Sequence, residues 1–424
     1  MRALNAAKSQ TSVNTAERIA CPDCGLVQKL PAIPGRHVVE CTRCGRGLIG
    51  RVAGRIDLPL ALATCALLLM LPAAMAPLMS VSTFGAEREN WLATGVEAFA
   101  SQGFPELGAL VLICAVILPF AFLAALVWVL GNLHFAPERA SGNPWLGRVY
   151  RWVGLMRPWM MLDVFLIGGF VAYTRIGTVA RVEVDAGGWC LIGATFAMLF
   201  ALTQLDDRTV WVALFRLPDE PHRQNGPPWI ACTTCDLLVP GIFASKPCPR
   251  CHARLHRRKP DSVRRTAALL IAGYLLYIPA NLLPVMTLTS VGGIEHNTIL
   301  GGVFELIHNN LWPLALIVFV ASIVLPLMKL FSLTWMVVAI RRRSGVLVRP
   351  RTRLYRTIDL IGRWSNIDVF MGSVLVALLQ FGALTSIRAE PGLVAFAGVV
   401  VITMLATEMF DSRLMWDAAS RSAQ

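Results

Sequence analysis

The chain has 424 residues, a net charge of +13, 55% hydrophobic residues and only 15% charged ones, with a mean hydropathy of +0.59. Its length alone would suggest a soluble protein of about three domains. The composition excludes that, because apolar runs of the roughly 20 residues needed to cross a bilayer recur along the chain.

Residues 1–55 are polar and basic and hold four cysteines. No secretory signal is visible, so this end is expected in the cytoplasm. Eleven cysteines in a reducing compartment point to metal or redox use rather than to disulfides. Apolar patterning then predicts helices over 58–82, 108–132, 160–181, 187–205, 266–288, 312–340, 366–387 and 391–408. Eight crossings return the C-terminus to the cytoplasm.

The basic residues agree with this topology. The inner loop 341–363 carries eight arginines, among them Arg341, Arg349 and Arg356, while the outer loop 289–311 has no Lys or Arg, only Glu295 and Glu305. This is the positive-inside asymmetry, and it accounts for the net charge without a nucleic-acid partner. Some of these arginines are expected against anionic lipid headgroups.

The two halves of the chain match. Leu71 to Met79 reads like Ile278 to Met286, with Pro72 and Pro77 falling on Pro279 and Pro284, and Pro119 on Pro326, all 207 residues apart. Trp159-x-x-x-Asp163-Val164-Phe165 falls on Trp364-x-x-x-Asp368-Val369-Phe370, and Asp206-x-Arg208-x-x-Trp211 on Asp411-x-Arg413-x-x-Trp416, both 205 apart. An even number of crossings per half makes the repeats parallel. Met79 to Gly85 and Met286 to Gly292 are rich in β-formers and read as short outer strands turning at glycine. The recurrent prolines should kink helices around a cavity or improve their packing.

The predicted fold is an all-α polytopic membrane protein. It is a tandem parallel repeat of two four-helix units, each preceded by a small cytoplasmic zinc-ribbon-like knuckle, with outer β-hairpins. The expected divisions are 1–55 (tail and first knuckle), 56–210 (first unit), 211–263 (linker and second knuckle), 264–410 (second unit) and 411–424 (tail).

The first knuckle is Cys21-x-x-Cys24 with Cys41-x-x-Cys44, and the second is Cys232-x-x-Cys235 with Cys248-x-x-Cys251. Two residues between thiolates let a tight turn aim both sulfurs at one ion. Two such turns complete a tetrahedron that suits Zn²⁺, predicting two zinc ions per chain. Gly25 and Gly45 follow the turns, where a left-handed conformation helps. A closed four-thiolate site has no open position for catalysis. Cys65, Cys114 and Cys190 stand alone in apolar helices and read as packing residues. His252 and His256 read as basic-loop residues rather than ligands.

Ionisable residues at membrane depth are functional candidates. Lys329 lies 11 residues before Ile340 in the sixth predicted helix, roughly 16 Å at 1.5 Å per residue, too far for its side chain to reach inner water unaided. A buried pair with Asp368 would offset its desolvation, with Ser365 and Thr403 adding hydrogen bonds. In the first half, Phe122, Met160 and Met198 stand where Lys329, Ser365 and Thr403 do, and only the aspartate, Asp163, is retained. Lys329, Ser365, Asp368 and Thr403 in the second half therefore have two readings, a working polar pathway for protons and a purely structural contact between helices. Asp163 is a weaker candidate, and Arg175 is expected at the outer boundary.

The tandem C-x-x-C knuckles, paired prolines, Trp-x-x-x-Asp-Val-Phe and Asp-x-Arg-x-x-Trp motifs together resemble the paraquat-inducible protein A family over about residues 18–417. The resemblance implies an inner-membrane protein of Gram-negative bacteria that is not an enzyme. It also implies a partner of stacked MCE domains forming a periplasmic tunnel, and lipid movement between the two membranes. No Gly-x-x-x-x-Gly-Lys-Ser/Thr loop is present, which leaves an ion gradient or passive transfer as the drive. Two other readings use the same cysteines: a membrane thiol oxidoreductase, which needs free thiols, and a zinc-dependent scaffold or sensor, which needs exchangeable metal.

Overall fold

The computed structural model describes residues 18–29, 39–49, 56–83, 86–177, 181–215, 229–290, 293–308, 310–378 and 385–422. The first unit contains α1 (Asp57–Met75), α2 (Thr94–Ser101), α3 (Pro105–Phe135), α4 (Pro144–Met156), α5 (Leu162–Ile176), α6 (Ala186–Gln204) and α7 (Asp207–Leu214). The second repeats them in order as α8 (Ser262–Leu282), α9 (Ile299–His308), α10 (Trp312–Arg341), α11 (Val348–Ile361), α12 (Ile367–Leu378), α13 (Pro391–Met409) and α14 (Arg413–Ser422).

Among the described residues, six helices are long and apolar enough to cross a membrane: α1, α3, α6, α8, α10 and α13. The other two expected spans are shorter. The helix expected over 160–181 stops at Ile176, and Arg181–Val184 is a strand. The helix expected over 366–387 stops at Leu378 within the described residues, and Thr385–Ala389 is a strand. The cause is position. α5 and α12 pack against each other, and α12 is buried along its whole length, so its apolar run faces protein instead of lipid.

The expected hairpins form, and the helices before them end sooner than read. α1 stops at Met75 and α8 at Leu282, because Pro77 and Pro284 cannot continue a helix. Met79–Thr83 then pairs antiparallel with Ala86–Asn90, and Met286–Ser290 with Gly293–Asn297. The expected turn glycines Gly85 and Gly292 lie outside the described residues. Each hairpin gains an unforeseen third strand, Arg181–Val184 and Thr385–Ala389 respectively. Next to each sheet, α6 and α13 start against the backbone that follows α1 and α8. A Cβ on Gly187 would lie 2.5 Å from the Ala76 carbonyl oxygen, and one on Gly392 2.4 Å from that of Pro284. Only glycine allows this approach.

α3 and α10 carry matching π-helical turns, Leu112–Ile117 and Val320–Val324, just before Pro119 and Pro326. The wider turn accommodates the missing proline N–H and the ring's clash with the preceding turn.

The repeats meet on a pseudo-two-fold axis between α5 and α12, where equivalent residues touch. The rings of Phe165 and Phe370 stack edge to face at 5.7 Å, and Asn366 donates from Nδ2 to the Met161 sulfur at 2.8 Å. A Cβ on Gly168 would lie 3.0 Å from the Met371 backbone nitrogen and 3.1 Å from the Ile367 carbonyl oxygen.

The knuckles lie at the end of the bundle opposite the sheets, and they cross over. The first knuckle's cysteines share a buried cluster with Leu333, Met336, Ile358 and Trp416 of the second unit. The buried residues of the second knuckle, Ile230 and Val239 among them, are continuous with the core that contains Trp211 and Leu214 of the first unit. The knuckles also touch each other, strand Arg18–Ala20 against Leu238–Pro240.

Candidate functional site

Each knuckle brings its four sulfurs together. Sγ distances are 3.5 Å for Cys21–Cys44 and for Cys24–Cys41, 3.4 Å for Cys232–Cys251 and 3.7 Å for Cys235–Cys248. In each set all four lie within 4.8 Å of one another. A Zn–S bond of about 2.3 Å in a tetrahedron requires S–S edges of about 3.8 Å, so the donor sets fit zinc. The turns are closed by backbone hydrogen bonds, Gly25 to Cys21 at 2.8 Å and Asp236 to Cys232 at 3.1 Å. Gly25 and Gly45 take the expected left-handed φ of +71° and +68°, and Asp236 and His252 take the same region in the second knuckle. The crowded thiols share protons unequally. Hydrogen bonding with Cys24 holds Cys21 down to about 5 and pushes Cys24 up. Hydrogen bonding with Cys235 likewise holds Cys232 down to about 7 and pushes Cys235 up. A divalent ion would take the place of those shared protons. All eight sulfurs belong to buried residues, so none offers the exposed thiol that disulfide exchange needs.

The first centre is wired to the second unit. Arg356 of α11 donates to the Asp23 carboxylate, to the Cys44 carbonyl at 3.3 Å and to the Cys44 sulfur at 3.0 Å. Arg46 also donates to Asp23, Ser412 donates to the Asp23 carbonyl at 3.0 Å, and Arg43 stacks over Trp416 at 4.5 Å. A zinc ion with four thiolates carries a net charge of about −2, which these cations would balance. The linker after the second knuckle is held by Arg258, which binds Asp417 through two bonds of 2.6 and 2.7 Å.

The expected polar cluster divides. Lys329 is 1% exposed, and no ion pair with Asp368 forms among the described residues. Instead its ammonium donates to the Gly362 carbonyl, at the C-terminal end of α11, where unpaired carbonyls and the helix dipole favour a cation. Ser365 and Asn366 follow in the 3₁₀ turn Gly362–Asn366. The Ser365 hydroxyl, Asn366 Oδ1 and Asp368 Oδ1 are buried without hydrogen-bond partners among the described residues. Ser322, in the π-turn of α10, lies beside Asp368. Thr403 is fully buried and donates to the Val400 carbonyl of its own helix at 3.0 Å. Asp163 is buried at the start of α5.

Asp368 faces a cavity of about 260 Å³, lined mainly by apolar residues such as Ile299, Leu306, Val318 and Leu375. The cavity reflects asymmetry between the repeats. α2 packs directly on α12, with a Cβ on Gly95 only 3.0 Å from that of Ser373. The equivalent α9 stands off from α5, where Gly302 has Arg175 at 3.8 Å as its nearest neighbour. Arg175 is not simply a boundary residue. It pairs with Glu305 at 3.1 Å across the cavity rim, and Asn297 donates to the same carboxylate at 3.3 Å.

Ser322, Asn366 and the Arg175–Glu305 pair escaped the sequence reading. Comparison of the repeats contains a signal for three of them: Ser322, Asn366 and Glu305 stand where the first half has Ala115, Met161 and Ala98.

The sequence profile of the paraquat-inducible protein A family matches residues 56–214 and 263–420, once per repeat. The chain is 30% identical over 420 residues to the intermembrane transport protein PqiA of Escherichia coli strain K12, covering 96% of this chain and 98% of that one. It is 28% identical over 399 residues to the lipophilic envelope-spanning tunnel protein A of the same strain, covering 94% and 91%. A probable intermembrane transport protein of Haemophilus influenzae is 24% identical over 416 residues, covering 95% and 96%. No solved structure matches the chain. Two profile matches in tandem, together with near-full-length relatives, place this chain in the paraquat-inducible protein A family.

Proposed function

We propose that the protein is the inner-membrane subunit of a lipid transport system that passes lipids to or from a periplasm-spanning tunnel of MCE domains. The observation that carries this reading is the cavity beside Asp368. Its apolar wall suits acyl chain, and the Arg175–Glu305 pair at its rim gives a polar headgroup both donors and acceptors. The relatives' names, intermembrane transport protein and envelope-spanning tunnel protein, support a transport role. In this reading the sheets face the periplasm and the tunnel, and the knuckles and both termini face the cytoplasm. The positive-inside asymmetry supports that orientation.

Each knuckle would hold one zinc ion, through Cys21, Cys24, Cys41 and Cys44 and through Cys232, Cys235, Cys248 and Cys251. With four thiolates the metal is structural and supplies folding energy. The driving step falls to the second unit. Lys329, the Gly362 carbonyl, Ser365, Asn366 and Asp368 form a buried polar line, with Ser322 beside its outer end and Thr403 in the same unit. The Ser365 hydroxyl, Asn366 Oδ1 and Asp368 Oδ1, without partners among the described residues, are suited to hold water and to relay protons that reset the cavity.

A photoreactive residue placed at Leu375, which lines the cavity, should capture phospholipid in native membranes. The same residue at Val376, buried but not lining the cavity, should not. Equal capture at both sites, or none at Leu375, would contradict the assignment.

A further inference from the structure

The buried polar line requires an opening on the knuckle side, and the fold supplies one. A second cavity of about 280 Å³ lies where the two units meet at that end. Its walls come from the C-terminal end of α4 (Gly154, Arg157), from α11 (Ile358, Asp359) and from α13 (Thr407, Glu408), and Lys329 lines its inner side. An ammonium has three donors, and among the described residues Lys329 uses one, to the Gly362 carbonyl. A lysine that is 1% exposed, with donors left over at a cavity whose lining includes Asp359, Thr407 and Glu408, calls for water there.

Charged groups among the described residues flank this cavity. Asp359 and Glu408 are exposed at its mouth. Arg157 is committed to Asp207 at 3.1 Å. Lys259 donates to the Glu408 backbone carbonyl at 2.5 Å, and Tyr355 donates to the Thr407 carbonyl at 3.2 Å. The repeat shows that this lining is particular to the second unit. Lys329, Asp359, Thr407 and Glu408 stand where the first half has Phe122, Gly154, Leu202 and Thr203. Every hydrogen-bonding group here is lost or reduced to a hydroxyl in the other copy.

We propose that this cavity is the knuckle-side entrance through which water and hydrated protons reach Lys329, with Asp359 and Glu408 as the acids that concentrate cations at its mouth. Two carboxylates at an opening raise the local concentration of cations and lower that of anions. The purpose assigned to the entrance rests on the proton-relay reading, but its existence can be measured without transport.

The test is chemical access to position 329 in the full chain. Cys65, Cys114 and Cys190 are replaced by alanine and Lys329→Cys is introduced. Sealed membrane vesicles are prepared with the knuckles facing out or in. Labelling by an impermeant trimethylammonium-ethyl methanethiosulfonate is compared with that by its sulfonate analogue. The cationic reagent should react about tenfold faster from the knuckle side than from the other, and Thr407→Trp, which fills the cavity, should slow it about tenfold. Glu408→Gln combined with Asp359→Asn should lower the cationic-to-anionic rate ratio about tenfold, and Glu408→Asp should preserve it. If Lys329→Cys does not fold, Met404→Cys, which lines the same cavity, reports in its place. Equal access from both sides, access only from the sheet side, or indifference to Thr407→Trp would overturn the proposal. Knuckle-side access without pH-dependent transport would defeat the relay reading and leave the entrance standing. Proton-coupled transport without knuckle-side access would do the reverse.

Discussion

Replacing Arg356 by alanine perturbs a metal site more than 300 residues away in sequence, because α11 of the second unit reaches the first knuckle. The side chain is 24% exposed and its partner Asp23 4% exposed. Its removal deletes a charged bond to a buried carboxylate and the bonds to the Cys44 carbonyl and sulfur. Breaking a fully buried pair costs about 3–5 kcal/mol, and partial exposure of the arginine reduces that to about 2 kcal/mol. If the loss falls on the metal-bound state, zinc affinity at the first centre drops about 30-fold, since 1.4 kcal/mol is tenfold. The assay is competition with a chromophoric chelator on the purified chain, resolving the two sites. One zinc per chain should be extracted at lower chelator concentration, and the second should be unmoved. Equal weakening of both sites, or of neither, would refute the crossed packing.

Other expectations can be checked on the same preparation. Metal analysis should return about two zinc ions per chain, and stripping them should lower the thermal stability of both units, because each knuckle packs into the other unit's core. Gly168→Val should destabilise the α5–α12 contact by about 2 kcal/mol, because backbone atoms 3.0–3.1 Å from the new Cβ must move. Gly131→Ala, inside α3 and meeting nothing within 4 Å, should not lower the melting temperature, since alanine is the better helix former. Burial pushes the Asp411 carboxyl up, but the Arg413 guanidinium and the backbone N–H groups of Lys259 and Arg413 pull it further down, so it ends below the usual carboxylate range. Its stabilisation is therefore complete above the unfolded value of about 4 and is lost only as pH falls through the lower folded value. Asp411→Asn should cost about 3 kcal/mol alike at pH 6 and pH 8, the difference from the parent chain vanishing in strong acid.

Much of the architecture could be read from residue order, because local physics writes it there. Paired prolines end α1 and α8, β-formers after them make hairpins, and C-x-x-C turns gather sulfurs within a few residues. What failed was whatever depends on partners far away along the chain. The ends of the third and seventh expected spans read as helix because Arg181–Val184 and Thr385–Ala389 adjoin long apolar runs, yet each is drawn into a sheet nucleated about a hundred residues earlier. The crossing of the knuckles leaves no periodicity, since order along the chain says only which unit follows. Lys329 is buried, as its place in an apolar run suggests, but a partner among carboxylates is not what it meets. A helix C-terminus satisfies an ammonium through a backbone carbonyl, and a carbonyl has no letter in the sequence. The sites that escaped notice, Ser322, Asn366 and Glu305, also stand where the first half has apolar residues.

The account assigns transport to the second unit, and the matched aspartates test that assignment most directly. Asp368→Asn and Asp163→Asn make the same chemical change at equivalent buried positions. The measurement is transfer of a fluorescent phospholipid from proteoliposomes containing the chain, in the presence of its tunnel partner. Asp368→Asn should reduce the rate about a hundredfold or more, the scale on which proton-transfer groups act, while Asp163→Asn should keep the parent rate. Equal loss in both variants, or loss only on changing Asp163, would contradict the account.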